Sequence, residues 1–188
     1  MRALFDVVTV ASFGFVGTMF DNFFAFSAQL VVTTRERYRR VAWAQASGVA
    51  SLMLIAAGVG SALTAVPQRW IGLLCVAPWG LALHAWRHRR ADVTTQYRRG
   101  ALTTFAVTLA LGGDNLAVWI PLLRLGGVWH ALITIATFAL WELLFVLGAQ
   151  TLTGHPRIVS WGSRHAPTFI PWVYFALGVL ILVECRTL

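Results

Sequence analysis

Two Asp-Asn pairs stand where ionisable side chains are costly. Asp21-Asn22 lies in GTMFDNFFAFSAQL, Gly17 to Leu30, and Asp114-Asn115 lies in LGGDNLAVWIPLL, Leu111 to Leu123. Both stretches are otherwise apolar enough to cross a bilayer. A charged side chain at bilayer depth costs about 2.5–3.5 kcal/mol on insertion scales, and such residues by default mark ion or proton pathways. Glu142 falls midway along a further apolar run. Every arginine lies near the end of a run or in a loop, so the acids have no central basic partner. Acids facing one interior without such a partner call for protons or a cation. The plainer alternative is that they stay protonated and only fix helix contacts. Glu184, near the end of the last run, can simply reach the interface.

The surroundings of the acids add ligands. Gly112 and Gly113 weaken the helix just before Asp114. Pro121 cannot donate to the carbonyl four residues back, at Ala117, and Pro78 likewise frees the carbonyl of Leu74. Non-helical backbone at membrane depth is tolerated where it lines a cavity. Thr18 and Gln45 place further polar groups on the first two helices. Carboxylates, Asn carbonyls and released backbone oxygens together form a cation site. Oxygen-rich sets favour hard ions, and soft metals prefer sulfur. On this reading Cys75 alone could add sulfur, although a buried Cys is more often a small hydrophobe.

These residues need elements to hold them. Of the 188 residues, 58% are hydrophobic and 12% charged, far from the quarter charged usual in soluble domains, so the composition is that of a membrane protein. Six runs approach the roughly 20 residues a spanning helix needs: 7–32, 41–63, 69–86, 100–124, 130–152 and 167–185. The loops between them are short, which leaves a single transmembrane domain. The first apolar stretch exceeds the roughly 7–15 residues of a signal-peptide core, so no cleaved signal is expected. Cys75 and Cys185 show no metal-type spacing and give no reason to expect a disulfide.

The basic charge reads as topology. Loops 33–40, 86–99 and 153–166 hold 11 of the 15 arginines, and these loops share one side if six helices alternate. The positive-inside rule places them in the cytoplasm and both termini outside. That leaves little reason to invoke nucleic acid. His84, His88, His155 and His165 sit at helix ends or in loops, where solvated roles outweigh metal binding. Trp70, Trp86, Trp129, Trp161 and Trp172 lie near run ends, as an interfacial belt requires. Trp119 and Trp141 lie deeper and could line the site or face lipid.

The Asp-Asn pairs fall near the middle of the first and fourth runs, and each opens its half of the chain. With three spans per half, the second half enters from the opposite side. The expected fold is an all-α membrane protein: six transmembrane helices as two inverted three-helix repeats, about 1–90 and 98–188. Substrate sites in such folds lie near the midplane where the repeats meet. Gly14, Gly17, Thr18, Asp21, Ala25 and Ala28 share a helical face, as do Thr103, Ala106, Ala110, Asp114 and Ala117. Plain helix packing, possible through small-residue faces between copies as well, accounts for the small members of these sets. A homodimer is compatible with them.

The segment GGDNLAVWIPLL, 112–123, resembles the Gly-Gly-Asp-Asn…Tyr-x-Pro-Leu-Phe segment of the cadmium-resistance transporter family (CadD type) within the LysE superfamily of small exporters. FDNFFAF resembles its first acidic motif and AQASGVASL the start of its second helix. IGLLCVAPWGLAL resembles its third helix, and LTGHPRI and APTFIPWVYFALGVLILVEC its closing segments. Their order and spacing span nearly the whole chain. The sequence departs at Leu111, where the family usually has Asn, at Trp119, which replaces Tyr, and at Asn22, where a second Asp is common. The resemblance implies efflux of a divalent metal, typically cadmium, driven by proton exchange. The location implied is the bacterial cytoplasmic membrane. Carried over by position, Asp21, Asn22, Asp114, Asn115 and Pro121 are the implied site.

The expected activity is therefore a proton-coupled exporter of a divalent heavy-metal cation, Cd2+ favoured. Its midplane site takes Asp21, Asn22, Asp114, Asn115 and Glu142 as metal- or substrate-binding residues. Gly112, Gly113, Pro121, Pro78, Thr18 and Gln45 support them. No cofactor beyond the transported cation is expected. Export of amino acids or organic cations, as in sister families, is the alternative, although a zwitterion would also need a positive group or a helix N-terminus for its carboxylate, and no central basic residue exists. A redox carrier would want two cysteines at one depth and a hydrolase a mid-span histidine; neither is present, so no enzyme is expected.

Overall fold

The computed structural model of the chain describes residues 2–31, 33–63, 76–87, 100–124 and 127–184. Of several residues within these stretches, Asp21, Leu111 and Glu184 among them, only the backbone is described. All regular structure among the described residues is helical. The helices are α1 (Arg2–Val31), α2 (Arg35–Ala62), α3 (Val76–Arg87), α4 (Ala101–Leu111), α5 (Gly113–Arg124), α6 (Gly127–Leu152) and α7 (Pro156–Glu184).

Each boundary has a local cause. Thr34 is extended before α2, and its carbonyl accepts from Arg37 N–H at 2.9 Å to start the helix. Gly100 precedes α4 at φ +137° and Gly127 opens α6 at φ +82°, both conformations that disfavour a side chain. Gly112 caps α4, its N–H bonding to Leu109, and the chain restarts at once as α5. Hydroxyls within the apolar helices bond back to carbonyls one turn earlier, as Thr18 does to Gly14 (2.9 Å), Ser27 to Phe23 (2.6 Å) and Thr137 to Ile133 (2.8 Å).

Helices α2 and α6 are each long and apolar enough to cross a membrane. Two bent pairs raise the number of candidate spans to four. α1 bends by 52° between Leu4–Phe20 and Asn22–Val31, and α4 meets α5 at 59°. The side facing away from the protein is as apolar as the inside: Leu54 is 75% exposed and Trp129 79%. Such surface fits lipid, not water.

The expected runs fall on these helices, but only two to four are candidate spans among the described residues, and several bounds differ: α2 begins at Arg35 instead of 41, and the fourth run is split into α4 and α5. The third run, 69–86, is represented by α3 alone, since 69–75 lie outside the described residues. The sixth was expected to begin at 167 after a loop, but α7 already starts at Pro156. Proline suits the first helical position because its missing N–H has no intrahelical partner there. The polar letters around Arg157 and Arg164 then form the exposed first turns of that long helix instead of a loop.

α1 packs against α5, α6 and α7, and α2 against α4, α5 and α6, while α3 lies on α7. Thus the bent helix of each half packs on the second helix of the other half. Phe15 meets Phe138, while Phe23 and Phe26 meet Phe145, so α1 and α6 run in the same direction. Against α5 the first part of α1 runs the other way: Met19 meets Asn115, Thr18 meets Trp119, and Gly14 faces Leu122. A Cβ at Gly14 would overlap the Leu122 side chain, and one at Gly17 would come within 2.6 Å of Val173, so both glycines serve close helix packing. Segment 33–41 shares a cavity with Gly100 and Ala101, and Arg35 shares another with Gln150, which gathers these basic and polar segments at one end of the bundle.

Candidate metal site

Both Asp-Asn motifs stand at the bends. α1 changes direction at Asp21, and α5 begins one residue before Asp114. The Asp114 carboxylate lies in the first turn of a helix, where the exposed N–H groups and the helix dipole favour negative charge. Its Oδ1 accepts from Asn115 N–H at 2.9 Å, and its Oδ2 accepts from the Tyr174 hydroxyl of α7. An amide and a phenol hold this acid. Of Asp21 only the backbone is described, so the placement of its carboxylate lies outside the described residues.

The two motif asparagines converge. Asn22 and Asn115 are 2% and 0% exposed, and their Nδ2 groups both donate to the sulfur of Met19, at 3.7 and 3.3 Å. One asparagine comes from each half of the chain. Asn115 Oδ1 is buried with no hydrogen-bond partner. Thr18, one residue before Met19, accepts from Trp119 Nε1 at 3.1 Å.

The cluster has different walls on its two sides. Toward the N-terminal end of α1, Trp119 stacks on Phe15 (centroids 5.7 Å) and meets Phe138 at 4.9 Å, a dry three-ring plug. Toward the other end runs a buried polar seam. Gln29 Nε2 donates to Thr104 Oγ1 at 2.7 Å, and the Thr108 hydroxyl lies 2.7 Å from Gln45 Oε1. Thr104, Thr108 and Gly112 follow at intervals of four along α4, so the seam leads to the break before Asp114. Gln29 Oε1 and Gln45 Nε2 are buried without a hydrogen-bond partner, positions where bridging waters would be satisfied. Beyond the seam, Thr33, Thr34, Arg37, Arg40, Gly100 and Ala101 line a cavity of about 480 Å³.

The remaining expected residues are placed as follows. Glu142 is 6% exposed and both its oxygens lack a partner. It lines a separate groove of about 550 Å³ between α2 and α6, with Tyr38, Arg39, Ala46 and Gln150. No hydrogen bond joins it to the asparagines. Pro121 is buried inside α5. Pro78 is the third residue of α3, and the carbonyl it was expected to free, at Leu74, lies outside the described residues. So do Cys75 and Cys185. Gly113 has open space around its Cα, whereas a Cβ at Gly112 would overlap Leu52. Among the described residues no three His, Cys, Asp or Glu side chains cluster as a metal site. Among the described side chains the centre is therefore built from amides, a hydroxyl and a thioether, with Asp114 beside Asn115 in the chain.

A model of the cadmium resistance transporter family matches residues 15–188. The chain belongs to the cadmium resistance transporter family. Membership makes it a transporter-family protein, not an enzyme, and with its apolar helices a multi-pass membrane protein. No curated protein and no solved structure matches the chain.

Two residues of this cadmium resistance transporter family member escaped the sequence reading. Met19 counts as apolar in any hydropathy pattern, and only its position two residues before Asp21 could have drawn notice. Tyr174 reads as one more aromatic in an aromatic-rich run.

Proposed function

We propose that this protein exports a divalent heavy-metal cation, cadmium favoured, in exchange for protons, from a site between its two inverted halves. The convergence of Asn22 and Asn115 on one atom carries this reading, since it brings both motifs together where two bent helices cross. Broken helices at corresponding positions of two repeats are the usual frame of a midplane cation site. The reciprocal packing of each bent helix on the other half's second helix supports the inverted repeat. The antiport is of the kind associated with the LysE superfamily.

In this mechanism Asp21 and Asp114 supply charge, and Asn22 and Asn115 turn carbonyl oxygens to the ion. Gly112 and Gly113 allow the break that starts α5. Thr18 and Gln45 tie the site to its aromatic and polar walls. The cation enters along the seam of Gln45, Thr108, Thr104 and Gln29 from the basic, cytoplasmic end. The plug of Phe15, Trp119 and Phe138 closes the other side. Rocking of the halves moves the plug and the seam in opposite senses. Two protons on the two carboxylates then replace one divalent cation, and Glu142 serves as a further proton carrier in its own groove.

The test is flux in proteoliposomes across Cd2+, Zn2+, Mn2+ and Ca2+, with and without a proton gradient. Gradient-dependent Cd2+ flux that falls to background in Asp114→Asn is the expected result. Flux of no metal, with organic cations or amino acids moved instead, would sink the proposal.

A further inference from the structure

We propose that Met19 is a ligand of the transported cation, and that its thioether makes the site select soft metals. The inference rests on the cation-export reading above and concerns which atoms choose the ion.

A buried methionine is usually filler, valued for its flexible, polarizable side chain. Met19 is 1% exposed and would pass as such. Most of its surroundings are apolar, for it lines a cavity of about 310 Å³ with Phe15, Phe23 and Phe145, but two neighbours do not fit that role. Both motif amides spend an N–H on its sulfur, which is a weak acceptor. Asn115 does so while its own carbonyl oxygen stays buried with no partner. A buried acceptor left empty costs about 1–3 kcal/mol, so packing alone gives no reason for this arrangement. A cation gives one. Turning the Asn115 amide about its terminal bond exchanges nitrogen for oxygen and places a carbonyl oxygen where the N–H now meets the sulfur. The same turn at Asn22 adds a second oxygen.

The spacing also fits. Around zinc, ligand atoms held at about 2.0–2.3 Å lie about 3–4 Å from each other, and the larger cadmium ion sets its ligands somewhat further apart. The two amide nitrogens lie 3.3 and 3.7 Å from the sulfur. Thioether sulfur prefers soft ions, whereas carbonyl and carboxylate oxygens alone suit Mg2+, Ca2+ and Mn2+. A site of oxygens would therefore carry no preference for cadmium over the abundant hard cations. One sulfur supplies it, and the equivalent position in the second half is Gly112, so the first half alone contributes this atom.

The experiment is cadmium-edge X-ray absorption on the purified full chain carrying Cys75→Ser and Cys185→Ser, so that any sulfur must come from methionine. The expected first shell is mostly oxygen with one sulfur, and the sulfur disappears in Met19→Leu. Cadmium affinity should fall by at least about tenfold in that variant, with Mn2+ affinity little changed. As a check independent of substitution, selenomethionine-labelled protein should show a cadmium neighbour at the selenium edge. Cadmium bound by an oxygen-only shell in the parent, or a sulfur that persists in Met19→Leu, overturns the inference and leaves the export reading standing. A chain that binds no cadmium overturns both.

Discussion

The two motif-bearing helices bend by nearly the same angle, 52° in α1 and 59° between α4 and α5, but by different means. The second bend is written in glycine. Gly112 ends α4, and α5 starts afresh with Asp114 in its first turn. The first bend has neither glycine nor proline between Thr18 and Leu30. It is flanked instead by hydroxyls that bond back into the helix, at Thr18 and Ser27, a contact that bends helices. One break is a helix terminus whose first-turn N–H of Asn115 bonds the Asp114 carboxylate; the other is a curve in a continuous helix. If that difference matters, the second half moves at its break and the first half mainly supplies ligands.

The sharpest way to break this comparison is at the acids. If each half contributes equally to charge balance, Asp21→Asn and Asp114→Asn should each abolish gradient-driven flux, and the double variant should look like either single one. Retained flux in Asp21→Asn would assign the exchange to the second half alone.

The glycines come next. A Cβ at Gly112 overlaps Leu52, so Gly112→Ala should lower thermal stability, by about 1–3 kcal/mol for an overpacked site. Gly113 has open space, so Gly113→Ala should be accommodated and even favour the helix by up to about 1 kcal/mol. If the break is a hinge, that added stiffness should still slow transport. A Gly113→Ala protein with a raised melting temperature and unaltered turnover would show that the second bend is static.

Tyr174→Phe probes the holding of Asp114 with a smaller effect. The loss of one hydrogen bond to a charged group is worth about 1.5–3 kcal/mol, so cadmium affinity should shift by about tenfold or more while folding is kept. The direction is informative. Weaker binding means that the hydroxyl positions the carboxylate for the ion, and tighter binding means that it competes with the ion. Glu142→Gln should leave cadmium affinity near that of the parent and alter the dependence of flux on pH. A large loss of metal binding would move Glu142 into the site with the asparagines.

The sequence showed the elements unevenly, for physical reasons. Long apolar runs made α2 and α6 plain, and the Gly112-Gly113 pair marked the second break. The bend in α1 was not legible, because no glycine or proline marks it. The early start of α7 was hidden by Arg157, Arg164 and His165, which look like loop residues to any hydropathy count although Pro156 is a good first helical residue. In the site, carboxylates and asparagines announced themselves by their cost in lipid. Met19 and Tyr174 did not, since a thioether and a phenol cost little there and their importance lies in what they touch.

The smallest effect concerns how both bends are reached. The second bend continues the Thr104–Thr108 row of the buried seam, and the seam leads toward a cavity lined by Arg37 and Arg40. Positive charge at a mouth lowers the local concentration of a free cation, and salt screens this over about 8 Å at physiological ionic strength. Replacing both arginines, Arg37→Gln with Arg40→Gln, removes two of the 11 arginines expected on that side and leaves the expected orientation signal largely intact. If the seam is the route, the double variant should take up free Cd2+ with an apparent KM about two- to threefold lower at low ionic strength, and the difference should vanish near 1 M salt. An unchanged KM at every salt concentration would mean that cations reach the two bends by another path. The groove that ends at Glu142, rimmed by Arg35 and Arg39, would be the next to test by the same substitutions.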